Sequence, residues 1–71
     1  MNSNDITFEQ WVRGFKRVEQ CRAGQTWYNY LAAVRFDLSE QIRGTEVDPF
    51  YDDRKIAQFL TWVGNNWNVR E

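Results

Sequence analysis

The chain has 71 residues, nine basic and ten acidic side chains for a net charge of −1, no histidine, and one cysteine, Cys21. That inventory excludes Cys/His zinc sites, haem ligation by histidine, histidine-based acid–base or triad chemistry and an internal disulfide framework. It also weighs against a free-standing nucleic-acid binder, which is usually basic.

A domain of this size buries only about 60% of the surface its unfolded chain exposes, so its core must be dense. Twelve aromatics, four of them tryptophan, supply that density, and one folded domain over residues 1–71 is expected. The longest unbroken apolar run, Tyr30 to Val34, is far short of the ~20 residues that span a bilayer. The start Met-Asn-Ser-Asn-Asp has neither the basic nor the apolar region of a signal peptide, so a cytoplasmic protein is expected.

Residues 1–6 are polar and expected to fray. Thr7-Phe-Glu-Gln10 has the pattern of a capping box. Phe8, Trp11, Val12, Phe15 and Val18 then fall on one helical arc, with Arg13, Lys16, Arg17 and Gln20 opposite, which predicts a helix over 8–22. Gly24 suits a turn and Thr26 an N-cap, opening a second helix over 27–36 whose buried stripe of Trp27, Tyr30, Leu31 and Val34 ends near Phe36. Asp37-Leu-Ser-Glu40 is a carboxylate cap for a short helix over 38–43, which Gly44 stops.

Residues 45–53 form a turn, with Asp48 held extended by Pro49 and Pro49 suited to the first position of a helical turn. Asp52 or Asp53 caps a last helix over 54–66, with a stripe of Ile56, Phe59, Leu60, Val63 and Trp67 and a weak end at Gly64-Asn65-Asn66. The expected fold is a small all-α bundle of three main helices and one short helix. Trp11, Phe15, Leu31, Val34, Ile56, Phe59, Leu60 and Val63 form its core.

Few residues offer chemistry. Glu46, Asp48, Asp52 and Asp53 are the one carboxylate cluster, but they lack the spacing of a calcium loop, and caps and turns explain the aspartates. No metal, cofactor or intrinsic catalysis is expected. Cys21 has no base beside it and reads as a small half-buried residue. Arg13, Lys16 and Arg17 are the residues with which the first helix would meet phosphates if the chain were a nucleic-acid accessory protein, and a solvated helix face accounts for them as well.

Aromatics outside the stripes are more informative. Tyr28 and Trp62 fall to the side of theirs, and Phe50-Tyr51 lie in a turn. Exposed Trp and Tyr are enriched at protein interfaces. A monomer or weak dimer is therefore expected to bind a protein partner with Phe50, Tyr51 and Trp62 as anchors and Glu46, Asp48 and Asp52 as an acidic rim that steers a basic partner.

The stretch Arg35-Phe-Asp-Leu-Ser-Glu-Gln-Ile-Arg-Gly-Thr45, the turn Asp48-Pro-Phe-Tyr-Asp-Asp53, Phe59-Leu-Thr-Trp62 and the Gly24-Gln25 pair before an aromatic helix form one pattern over about residues 24–67. It resembles small proteins carried by bacteriophages and prophages that have no settled activity. The resemblance implies a setting inside a bacterial cell and, by analogy with other small non-catalytic phage proteins, binding to a host or phage protein.

Overall fold

The computed structural model describes residues 6–68, and it is all-helical: α1 (Phe8–Arg13), α2 (Ala23–Val34), α3 (Phe36–Ile42) and α4 (Ile56–Asn66), the last preceded by a 3-10 turn, Asp53–Lys55. Among the described residues no strand occurs, in agreement with the all-α expectation.

The capping box at Thr7 forms as expected, the Thr7 hydroxyl accepting from the Gln10 N–H and the Gln10 amide oxygen accepting from the Thr7 N–H. The helix it opens is shorter than its apolar periodicity predicts, ending at Arg13 rather than residue 22. Continuation would require the Phe15 N–H to reach the Trp11 carbonyl. That carbonyl instead accepts the Tyr30 hydroxyl from α2, and the Phe15 N–H turns back to Val12 at 3.2 Å. Burial also pushes the Tyr30 phenol above its ordinary pKa. Beyond the break Val18 is 48% exposed, not part of a core stripe.

The second helix begins at Ala23, four residues earlier than predicted, so Gly24 lies in its first turn and is no turn glycine. A Cβ on Gly24 would stand 2.0 Å from the Pro49 carbonyl oxygen, and its N–H donates to Asp53 Oδ1 at 2.9 Å. Helix and turn therefore meet backbone to backbone, and a carboxylate 29 residues away caps the helix. Thr26 is not the cap; it is buried and its hydroxyl donates to the Arg22 carbonyl at 3.0 Å. The helix also ends two residues before Phe36, which opens α3 and is 65% exposed.

Asp37 lies inside the first turn of α3 and does not cap it. Its two carboxylate oxygens accept Arg35 Nε and Nη2 at 3.1 and 3.0 Å, while Arg35 Nη1 donates to the Trp67 carbonyl at 2.6 Å. Gly44 is the stop the sequence predicts, at φ +77°, the left-handed region that favours glycine. Asp52 caps the last helical segment by accepting the Arg54 N–H. That segment runs on to Asn66, with the Phe8 ring packed over Gly64.

Trp11, Leu31, Leu38, Ile42, Phe59, Val63 and Trp67 form the buried core. The Trp11 ring lies within 6.4 Å of the rings of Phe8, Trp27, Tyr30, Phe59 and Trp67. Phe15, Val34, Ile56 and Leu60 are only partly buried, and the short α3 contributes Leu38 and Ile42 in their place. Ile6 is tied down, packing on the core and accepting the Trp67 indole N–H at 3.0 Å; residues 1–5, also expected to fray, lie outside the described residues.

Candidate functional site

The chain reversal between α3 and α4 is held by its own polar groups. Asp48 accepts the Gly44 N–H through Oδ2 at 2.8 Å and the Phe50 N–H through Oδ1 at 3.0 Å. The Thr45 hydroxyl and N–H both donate to the Ile42 carbonyl, at 2.6 and 2.9 Å. Gln58, on α4, donates to the Glu46 carbonyl at 2.6 Å. Farther on, the Asp52 N–H closes a turn onto Pro49, which is buried, so Phe50 and Tyr51 stand at its tip. Arg22 Nη2 reaches the Phe50 carbonyl at 3.3 Å, tying that tip to the start of α2.

Two grooves meet at Gly44 of this reversal. One, of about 480 Å³, has aromatic walls of Tyr28, Phe36, Phe50 and Tyr51, with Ala32 and Arg43 among its other lining residues. Three of its rings are joined by edge contacts: Phe50 stands 5.5 Å from Tyr28 at 87° and 4.7 Å from Tyr51. The Tyr28 hydroxyl donates to the Ser39 carbonyl at 3.2 Å, which fixes α2 against α3 at the groove wall. Of the three exposed large apolar side chains among the described residues, two, Phe36 at 65% and Tyr51 at 80%, lie here. The other groove, about 570 Å³ and more open, is lined by Trp62, Ile42, Val47, Thr45, Glu46 and Gln41.

The expected anchors are therefore divided. Phe50 and Tyr51 share the aromatic groove, whereas Trp62 lines the neighbouring one. The acidic rim is divided as well. Asp48 is spent on two backbone N–H groups, and Asp52 accepts the Arg54 N–H, Nε and Nη2, which hold its carboxyl below the usual range. Glu46 has an exposed side chain with no partner among the described residues.

Phe36 is the groove residue that sequence reasoning missed. The second helix ends at Val34 and α3 opens at Phe36, which removes Phe36 from the stripe of the helix before; the cap pattern at Asp37 points to a break here but misplaces it.

The basic residues do not form the helix face expected of them. Arg13 ends α1, while Lys16 and Arg17 lie in the non-helical segment that follows, with Arg17 Nη2 donating to the Cys21 carbonyl at 3.4 Å. Cys21 is half-buried. Among the described residues no three His, Cys, Asp or Glu side chains gather as a metal site would require, and no helix is long and apolar enough to cross a membrane. Comparison with protein-family models, with curated proteins and with solved structures gave no match.

Proposed function

We propose that this chain is a small non-catalytic interaction module, phage- or prophage-encoded, that binds a host or phage protein through the aromatic groove between α2, α3 and the Pro49–Asp52 turn. The observation that carries the reading is the exposure of Phe36 and Tyr51 on one groove already walled by Tyr28 and Phe50. Large aromatics left in water beside half-buried ones have the character of interface anchors. The pinned turn supports the same reading, because a surface already ordered loses little entropy on binding. The phage setting rests on the sequence pattern over residues 24–67.

Affinity capture from bacterial lysate with the native chain and with a Phe36→Ser, Tyr51→Ala variant tests it, provided circular dichroism and thermal melting show the variant folded. A partner retained by the native chain and lost by the folded variant is the expected result. Equal retention by both moves the contact elsewhere, and no specific capture by the native chain removes the interaction reading.

A further inference from the structure

Resting on that interaction reading, the geometry points to the Trp62 groove as a subsite for an arginine side chain of the partner, the guanidinium lying on the Trp62 indole and donating to the Glu46 carboxylate. Trp62 is only partly buried, and among the described residues it has no ring partner and no hydrogen bond to its indole N–H. Glu46 is the groove's single charged lining residue, and its carboxylate is unpaired. Its backbone is nevertheless fixed: the Glu46 carbonyl accepts from Gln58, one helical turn before Trp62, and the adjoining Gly44, Thr45 and Asp48 are all hydrogen-bonded within the turn. The groove also has apolar lining, from Ile42 and Val47, for the aliphatic stem of a long cationic side chain.

The same three groups occur complete elsewhere in the molecule. Arg35 Cζ lies 5.2 Å from the centre of the Trp67 ring, and its guanidinium forks onto the Asp37 carboxylate. At the Trp62 groove the indole and the carboxylate are present and the guanidinium is missing. The charge is complementary to a cation, and arginine suits it better than lysine because a planar guanidinium can stack on an indole and fork to a carboxylate at once. The partner segment is accordingly one that places an arginine beside the apolar residues entering the Phe36 and Tyr51 groove.

The test uses the full chain and two short blocked peptides, one with a central arginine between glycines and one with citrulline, the neutral isostere, in its place. Shifts of the Trp62 indole N–H and the Glu46 and Val47 amide resonances are followed in two-dimensional NMR. The arginine peptide is expected to shift these resonances saturably, with citrulline and the Glu46→Gln variant each weakening binding about tenfold. Rising salt should weaken it as well. Equal shifts from citrulline, an unaffected Glu46→Gln variant, or no shift at millimolar peptide would each overturn the assignment. A Tyr51→Ala chain should bind the arginine peptide as the native chain does. A captured partner lost by the Phe36→Ser, Tyr51→Ala variant but indifferent to Glu46→Gln would leave the interaction reading standing and remove this one.

Discussion

Tyr30 and Gly14 act as one device that ends α1. The Tyr30 hydroxyl occupies the Trp11 carbonyl, and a Cβ on Gly14 would stand 2.8 Å from that hydroxyl. Tyr30→Phe should cost about 1 kcal/mol by removing the hydrogen bond. Gly14→Ala should gain nothing alone: Gly14 caps α1 in the right-handed region that alanine also adopts, but the roughly 0.4–1 kcal/mol gained by restricting the unfolded chain is offset by the clash. Combined with Tyr30→Phe it should stabilise, so a double-mutant cycle by urea denaturation should give a coupling of about 1 kcal/mol. Additive losses would show that the two residues act separately.

Arg35 and Asp37 offer a second test at this scale. The Arg35 hydrogen bond is the foremost cause holding the Asp37 carboxyl below its usual range, against the opposing effect of partial burial. A carboxyl with a depressed folded-state pKa contributes stability above the ordinary carboxylate range and loses it as pH falls through the folded value. Asp37→Asn should therefore lower stability at neutral pH and flatten the acid decline, to which Asp52, depressed by Arg54, also contributes in the same direction. Urea midpoints across the acid range measure this; an acid decline identical to the native chain's would mean that Asp37 contributes nothing.

Among the elements, the docking of α2 on the 49–53 turn depends on the missing Cβ of Gly24. Gly24→Ala would bring a methyl group to 2.0 Å from a backbone oxygen that cannot swing aside. The expected cost is about 3 kcal/mol or more, with loss of the Asp53 cap, measured as a fall in the urea midpoint. A change below about 0.5 kcal/mol would mean that the two backbones separate freely. The elements legible in the sequence are those whose signals are local. Thr7 with Gln10, and Asp52, satisfy backbone groups within a few residues, and Gly44 takes the left-handed backbone that ends α3, so each works as its motif predicts. Where a distant group decides, the sequence reads wrongly: Tyr30 ends α1 from 19 residues away, and Asp53 caps α2 from 29. Phe15 and Val18 keep helical spacing past that end, so periodicity alone could not reveal it.

For the molecule as a whole, a core built around Trp11 leaves Tyr28, Phe36, Phe50, Tyr51 and Trp62 to the two grooves at the reversal. Phe50, Tyr51 and Trp62 stood out in the sequence because they fell outside the stripes. Their division between two grooves did not, since it depends on how Gly44 and Asp48 fold the reversal. Phe36 was concealed by an apparent continuation of the preceding stripe. Exposed as it is, Tyr51→Ala should alter stability by less than about 0.5 kcal/mol yet weaken partner binding by about 2 kcal/mol or more. Equilibrium denaturation beside calorimetric titration with the captured partner separates the two, and equal binding would exclude Tyr51 as an anchor. Val18, the third exposed large apolar residue among the described residues, lines neither groove, which makes it a control. The most direct measurement introduces a benzoyl-phenylalanine photocrosslinker at position 36 or at position 18 and irradiates the chain in bacterial cells. The aromatic-groove account predicts one covalent partner adduct from position 36 and none from position 18; an adduct from position 18 alone, or from neither position, would contradict it.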